Sequence, residues 1–444
     1  MKSFNVHFLR LGITTLLMII LLYPTTTFAW GDNSDNGKGR PSYSFQEINE
    51  KADTFGNTPL FNSIEIKDSD YDWYKANFGE ELKKGNLRHE KNFVGARENT
   101  GVNAGPNNVW DGNNITAEDG KTYLVRLYAH NNNSNSVAEN TTVRFQDANN
   151  VASTLETVKL EDENGYETGE TKQMQQVQIN GFITSSNANP NEYWDYVNFN
   201  ADVPFHLEYI QNSALLENNG IGNGGFILDN EIIDSGTLIG YDALDGRIPG
   251  GYQYASYITI QVKVVYDYDF TIEKKVRLAG DKEWKDAIEA EIGDEVELQI
   301  KYVNNSDYEQ KNVLAKDIIQ SDNLVYVKGS AKIENVTYPD GTKIDDSLIG
   351  TGISIGNYKP GETACIVYRA TIADKNLTDG ANTIVNWTQT EVGSTIMQDY
   401  AAVVLYKYAA GFQIAVTILL ALITICITLI LILTLRKIHR KRHL

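Results

Sequence analysis

Three short patterns in this 444-residue chain have spacings that could do chemistry. Gly352-Ile353-Ser354-Ile355-Gly356 fits GxSxG, the elbow that holds a hydrolase serine on a sharp strand-to-helix turn. Asn357-Tyr358-Lys359-Pro360-Gly361 comes next, a turn into another strand, so Ser354 is expected to be an ordinary strand residue. Gly220, Gly222 and Gly225 make a GxGxxG, but Asn218-Asn219 precede it and the β-like Phe226-Ile227-Leu228 succeeds it. A dinucleotide site requires a strand before and a helix after, so this is read as a loop. Asp68, Asp70 and Asp72 imitate the first ligands of a calcium loop, yet Trp73 stands where the sharp turn needs Gly and Gly79 where the bidentate Glu belongs. A solvated acidic turn is expected there. A non-standard calcium site among the Asn/Asp loops stays open, and no cofactor is expected.

Past residue 29 the histidines ahead of the C-terminal apolar run are His89, His130 and His206, widely spaced, and they predict no zinc centre. Carboxylates are abundant, but abundance does not single out a glycosidase pair. In Tyr193-Trp194-Asp195-Tyr196-Val197-Asn198-Phe199, a strand sends Tyr193, Asp195, Val197 and Phe199 to one face and Trp194, Tyr196 and Asn198 to the other. One aromatic face must enter the core. The other either lies under a loop or stacks on a sugar or a partner, so Trp110, Trp194 and Tyr196 are the candidate ligand surface. Asn-x-Ser/Thr triplets at Asn114, Asn140, Asn335, Asn376 and Asn386 arise from Asn/Thr-rich turns and identify nothing.

The elements that must carry these residues are strands. Tyr123–Tyr128, Val177–Phe182 and Tyr257–Tyr266 are rich in Val, Ile, Tyr and Thr and are separated by Asn/Asp/Gly/Pro turns. No stretch ahead of the last apolar run shows a convincing helical period, which predicts an all-β sandwich class. An internal repeat sharpens this. The strand leaving Gly120 and ending at Asn132-Asn133-Ser134 is answered by the one leaving Gly293 and ending at Asn304-Asn305-Ser306. Tyr209 with Ser213-Ala214 is answered by Tyr326 with Ser330-Ala331, and Gly236, Gly240 and Pro249-Gly250 by Gly352, Gly356 and Pro360-Gly361. The first copy is read as carrying additional loops, from about 148 to 200 and 218 to 234. It also lacks a counterpart of the closing pair 382–390 and 395–405, and the segment around Asn92 to Arg97 is expected to complete its sheets.

Ala409 to Leu435 has no charged residue and is followed by Arg436, Lys437, Arg440, Lys441 and Arg442. That is long enough for a transmembrane helix, and the basic flank orients the tail to the cytoplasm. At the other end, Lys2 and Arg10, the apolar Leu11 to Tyr23 and the small residues before Trp30 predict a signal peptide cleaved after Ala29. Of 39 Lys and Arg, two precede that site and five lie beyond the span, leaving 32 against 58 Asp and Glu, a formal −26 outside. Such a surface repels nucleic acid and anionic lipid. The cysteines, Cys365 in an alternating strand and Cys426 in the span, cannot pair, and Cys365 is expected to be a buried structural thiol.

The second copy, from about Phe270 to Tyr406, resembles the bacterial conserved-repeat domain, long catalogued as a domain of unknown function. The resemblance rests on Gly293-Asp294, Asn304-Asn305-Ser306, Leu324-Val325-Tyr326-Val327, Gly329-Ser330-Ala331, Lys359-Pro360-Gly361-Glu362 and the Asn382-Thr383 strand. Asp317 is followed by Ile318-Ile319-Gln320 in place of the usual Asp-Thr-Leu-Pro. The resemblance implies an immunoglobulin-like sandwich in a cell-surface protein and carries no catalytic residue.

The expected order is a signal peptide at 1–29, a flexible or irregular lead-in at 30–87 that packs on the first domain, and then that domain itself, an elaborated, divergent sandwich at 88–268. A conserved-repeat sandwich at 269–406, a transmembrane helix at 409–435 and a cytoplasmic tail at 436–444 complete it. Two immunoglobulin-like β-sandwiches in series on one anchor suit a single-pass cell-membrane protein acting as a structural or adhesive envelope component, not an enzyme. A glycan-binding module, with a cell-surface glycan or protein as partner, and a membrane-tethered hydrolase are the rivals.

Overall fold

The structure is a computed structural model that describes residues 29–30, 42–65, 90–101, 113–161, 167–222, 224–408 and 410–441. Asp68, Asp70, Asp72, His89, Trp110, Arg442 and the apolar N-terminal segment lie outside the described residues, as does most of the 30–87 lead-in. Two compact units divide the chain, Met1–Asp267 and Tyr268–Leu444, and both are built from β-sheet.

In the first unit one sheet runs β2 (Val94–Glu98), β4 (Thr122–Ala129), β15 (Ser256–Tyr266), with β10 (Phe205–Tyr209) and β11 (Leu215–Asn218) both paired to β15 and β12 (Phe226–Ile227) to β11. The other runs β1 (Ala29–Trp30), β9 (Glu192–Ala201), β8 (Glu167–Thr184), β6 (Thr142–Gln146), β13 (Thr237–Leu238), with β3 (Asn114–Thr116) on β9 and β7 (Thr154–Glu161) on β8. A small ribbon pairs β5 (Val137–Ala138) with β14 (Ile248–Pro249). Val94, Leu127 and Ile260 from one sheet share a core with Phe145, Ile179 and Val197 from the other, so the unit is a two-sheet sandwich.

In the second unit one sheet runs β16 (Phe270–Leu278), β18 (Glu295–Asn304), β24 (Thr363–Ile372), β21 (Lys332–Asn335), β22 (Thr342–Lys343), with β20 (Leu324–Tyr326) on β24. The other runs β17 (Ala287–Ala290), β26 (Thr395–Lys407), β25 (Gly380–Val392), β19 (Gln310–Ile318), β23 (Ile353–Tyr358). Alternation decides which face is inward. On β18, Val296, Leu298, Ile300 and Tyr302 are buried and the residues between them are not, and each such side chain contributes about 1.5–3 kcal/mol.

The sequence repeat is a repeat of sheet topology. β2-β4-β15 with β10, β11 and β12 has the neighbour order of β16-β18-β24 with β20, β21 and β22. The parallel strand ahead of the Gly turn recurs too, β3 on β9 and β17 on β26. Even a buttress recurs: Tyr209 Oη donates to Asn230 Oδ1 at 3.0 Å, and Tyr326 Oη donates to Asp346 Oδ1 at 2.5 Å. Each acceptor sits in a single 3-10 turn capped by the preceding Asp, Asp229 or Asp345.

Four expectations are corrected. The described residues between 148 and 200 are mostly strand, not loop: β7, β8 and β9. The β8–β9 hairpin beside β6 occupies the place that β25–β26 takes beside β19, so the closing pair is present and merely supplied from mid-chain. A helix, α1 (Phe45–Phe55), occupies the lead-in: Ser44 Oγ accepts from Glu47 N at 3.1 Å and Ser44 N donates to Glu47 Oε2 at 2.7 Å. This reciprocal cap satisfies two end donors and starts a helix whose only buried side chain, Ile48, packs with Leu60 and Ile64. Finally, Asn131, not Asn132, matches Asn304, because the strands leaving Gly120 and Gly293 run in one register. Asn131 to Asn133 are buried and fasten the lead-in: Leu60 N donates to Asn131 Oδ1 (3.2 Å), Ser63 N to Asn132 Oδ1 (2.6 Å), and Asn133 Nδ2 to Thr58 O (2.9 Å).

α2 (Ala410–Lys441) has side chains described at 416–432, among them the exposed Ile418, Leu422, Ile425 and Leu429. Among the described residues no helix is long and apolar enough to cross a membrane. Arg436, Lys437, Arg440 and Lys441 fall in the last turns of α2. Ala29 falls in β1, two residues paired in parallel with β9.

Candidate functional site

β9 alternates as its sequence requires. Tyr193, Asp195, Val197 and Phe199 are buried, while Trp194, Tyr196 and Asn198 are half-buried on the outer face. The Trp194 and Tyr196 rings lie 6.3 Å apart, tilted by 36°. Trp194 pairs across the sheet with Phe182, and Phe182 with Arg144, whose guanidinium lies 4.3 Å from the Phe182 ring. The result is a row of Arg144, Phe182, Trp194 and Tyr196.

The other sequence candidates are not brought together. Ser354 is exposed in β23 and Gly220 and Gly222 lie in the turn after β11. His130 is buried against Glu90 (2.8 Å), and His206 pairs with Asp267 (2.6 Å). No group of metal-binding side chains occurs among the described residues. Cys365 is half-buried, not buried; it lies on the face of β24 opposite the core and accepts from Gln299 Nε2 at 3.1 Å. Burial pushes its thiol up, against that hydrogen bond.

The chemically richest place is the core of the second unit. β16 presents Val276 inward, and two residues earlier the same phase presents Lys274. β19 likewise presents Val313, Ala315 and then Asp317, and β25 Ile384 and then Asn386. The Lys274 and Asp317 side chains are 0% exposed, and Lys274 Nζ donates to Asp317 Oδ2. Asp317 Oδ1 accepts from Asn386 Nδ2 at 2.8 Å. Tyr368 closes the ring: its Oη accepts from Lys274 Nζ at 3.0 Å and donates to Asn386 Oδ1 at 2.9 Å. Desolvation holds the Lys274 amine below its ordinary pKa, although Asp317 pulls the other way. The Tyr368 hydroxyl is pushed well above its ordinary value by burial and then by Asp317.

The first unit supplies a control built into the chain. Leu127 pairs with Val94 as Ile300 pairs with Lys274, and Val125 with Ile260 as Leu298 with Tyr368. Val94 N donates to Asp195 and Lys274 N to Asp399, each at 2.7 Å, which fixes β9 against β26. From there Gly181 stands for Thr388, Phe145 for Asp317 and Ile179 for Asn386. Where one unit has Lys274, Asp317, Asn386 and Tyr368, the other has Val94, Phe145, Ile179 and Ile260, all buried. The fold therefore does not need the polar set. Burying an ion pair costs several kcal/mol per ion and is weak evidence of stabilisation, so the set invites another explanation.

Of these four residues only Asp317 falls in a pattern the sequence shows, at the Asp of the expected Asp-Thr-Leu-Pro, and nothing there marks it as buried. The available signal is a charged or amide residue in the inward phase of an otherwise apolar strand, and Lys274, Asp317 and Asn386 all carry it. Asn386 also begins an Asn-x-Thr triplet, but at 2% exposure it is closed to any enzyme once the unit has folded.

No family model and no curated protein matches the chain. Solved structures similar to it include "BspA_C_WT", 10% identical over 70% of this chain and 99% of that one, with a TM-score of 0.28. The collagen adhesin CNA of S. aureus is 9% identical over 71% and 94%, TM-score 0.20. BcpA, the major pilin subunit of Bacillus cereus, is 12% identical over 60% and 69%, TM-score 0.23.

Proposed function

We propose that the chain is a single-pass component of a bacterial cell surface with a structural or adhesive role. Two immunoglobulin-like sandwich domains lie outside, and the apolar run from Ala409 to Leu435, with its basic tail, lies in the membrane. The observation that carries this reading is one sandwich plan used twice in succession, the economy of a protein whose task is to span a distance and display a surface. The acidic balance of the residues ahead of the span favours the same reading. The test is fractionation of cells expressing the full chain and a version stopped after Tyr408. The full chain should stay with membranes through alkaline washing and lose the part ahead of the apolar run, about 30 to 408, to protease added to intact cells, while the stopped chain should appear in the medium. Full protection from external protease would overturn the reading.

A second reading, a glycan-binding face, is favoured by the row of Arg144, Phe182, Trp194 and Tyr196. Rings in a row on the outer face of a sheet can stack on sugar faces, each worth on the order of 1 kcal/mol. The full chain should bind an array of envelope polysaccharides and show a tryptophan fluorescence change. The double variant W194A/Y196A should lose both, and unchanged binding in it would remove this face from consideration.

A further inference from the structure

We propose that the second unit forms an amide bond between Lys274 Nζ and the side-chain carbonyl carbon of Asn386, joining β16 of one sheet to β25 of the other. This goes beyond the surface role and does not depend on it.

Three observations carry the inference. The first is contact: Asp317 touches both the Lys274 amine and the Asn386 carboxamide nitrogen, one with each carboxylate oxygen. It is therefore placed to move a proton from one nitrogen to the other. The second is polarisation: Tyr368 Oη donates to Asn386 Oδ1 at 2.9 Å, the atom on which negative charge develops when a nucleophile adds to the carbonyl. The same hydroxyl accepts from Lys274 Nζ at 3.0 Å, so the amine and the Asn386 carboxamide share Tyr368 as they share Asp317. The third is the all-or-none difference between the units. The counterpart core has four apolar residues and not one member of the polar set, as expected if the four act together and unexpected if each merely fits the fold.

The chemistry balances without an added reagent. Burial favours proton transfer from the Lys274 ammonium to the Asp317 carboxylate, leaving a neutral amine and a carboxylic acid. The Nζ lone pair adds to the Asn386 carbonyl carbon, and the oxyanion at Oδ1 is held by Tyr368. Asp317 gives its proton to Nδ2 and takes one from Nζ. The bond from carbon to Nδ2 breaks, the carbonyl reforms and ammonia leaves. Lys274 and Asn386 are then one secondary amide, Asp317 is protonated, and nothing has been oxidised or reduced. Holding the reactants in one dry site replaces a bimolecular encounter, so a single slow turnover suffices.

The test is peptide mapping of the unmodified full-length protein by mass spectrometry after denaturation and proteolysis. The expected result is a branched peptide joining the Lys274 and Asn386 segments, lighter than the two together by one ammonia. D317A and K274M should yield the two segments separately. Recovery of only separate segments from the unmodified protein would overturn the proposal, whatever the variants do. A branch between Lys274 and Asp317, lighter by one water, would overturn the assignment of Asn386 as the electrophile and of Asp317 as the proton carrier. Because the unmodified protein gives the decisive reading, poor folding of a variant leaves the test intact.

Discussion

If the four polar residues are dispensable for folding, exchanging them for their counterparts should do less harm than removing one. The first perturbation is Asp317→Ala, which leaves the Lys274 amine buried without its carboxylate. The second exchanges the set: Lys274→Val, Asp317→Phe, Asn386→Ile, Tyr368→Ile and Thr388→Gly. The fifth change is required because the apolar set is bulkier at this point: a Cβ on Gly181 would meet Val94 Cγ2 at 2.5 Å. Breaking a buried pair by removing one partner costs about 3–5 kcal/mol, whereas replacing the whole pair by packed apolar groups ranges from neutral to a gain of about 1–4 kcal/mol. Imperfect packing in the exchanged core takes back about 1–3 kcal/mol. The five-residue variant should therefore exceed Asp317→Ala by about 3 kcal/mol, a gap in Tm of roughly 6–12 °C for a unit of this size. Neither variant has both the amine and its proton carrier, so the comparison is free of any cross-link. The assay is thermal unfolding of the full-length variants followed by tryptophan fluorescence, with Trp387, whose ring lies 4.8 Å from that of Tyr400, reporting on the second unit. If the five-residue variant melts at or below Asp317→Ala, the matching of the two cores is wrong.

Four further outcomes rest on the same geometry. In Asp317→Ala the buried Lys274 amine binds its proton less readily than in the unfolded chain. Stability of the second unit should thus rise with pH toward the amine's ordinary 10.5, a slope that vanishes when Lys274→Met is added, as pH-dependent melting would show. Ser44→Ala removes the cap of α1 and should cost that helix about 1 kcal/mol, seen as faster amide exchange at 45–55 with little change elsewhere. Gly250→Ala would drive a Cβ to 1.8 Å from the Asn133 carbonyl oxygen, and should cost the first unit at least the upper end of about 1–3 kcal/mol in denaturant unfolding. The Cys365 thiol, pushed up by burial, should react with a disulfide reagent more slowly than a free cysteine at neutral pH, its rate still climbing where a free thiol has levelled off.

What the sequence reveals is governed by periodicity. β9 shows its two faces in the residue order alone, and the strands from Gly120 and Gly293 announce a repeat because both turn and alternation recur. α1 escapes a periodicity search because it is 11 residues long with a single buried side chain, and its signal is the cap, Ser44 with Glu47 three residues on. The hairpin of β8 and β9 reads as an insertion because linear order cannot say that two strands placed mid-chain in one copy do the work of two strands placed last in the other. The polar set escapes for a different reason. Lys, Asp and Asn on a strand ordinarily mark its wet face, and only the phase of Phe270 and Val276 around Lys274, or of Val313 and Ala315 before Asp317, shows that these point inward.

The two positions of the closing hairpin impose different schedules on a chain made from its N-terminus. In the first unit β8 and β9 are made before β10, β11 and β15, so one sheet has its closing strands before the other has its central one. In the second unit β25 and β26 come last. Its core cannot shut until Lys407 has been made, and Lys274 must wait through more than a hundred residues for Asn386. Completion of that unit, and with it any bond sealed in its interior, thus marks a chain that has been read through to the threshold of its apolar segment.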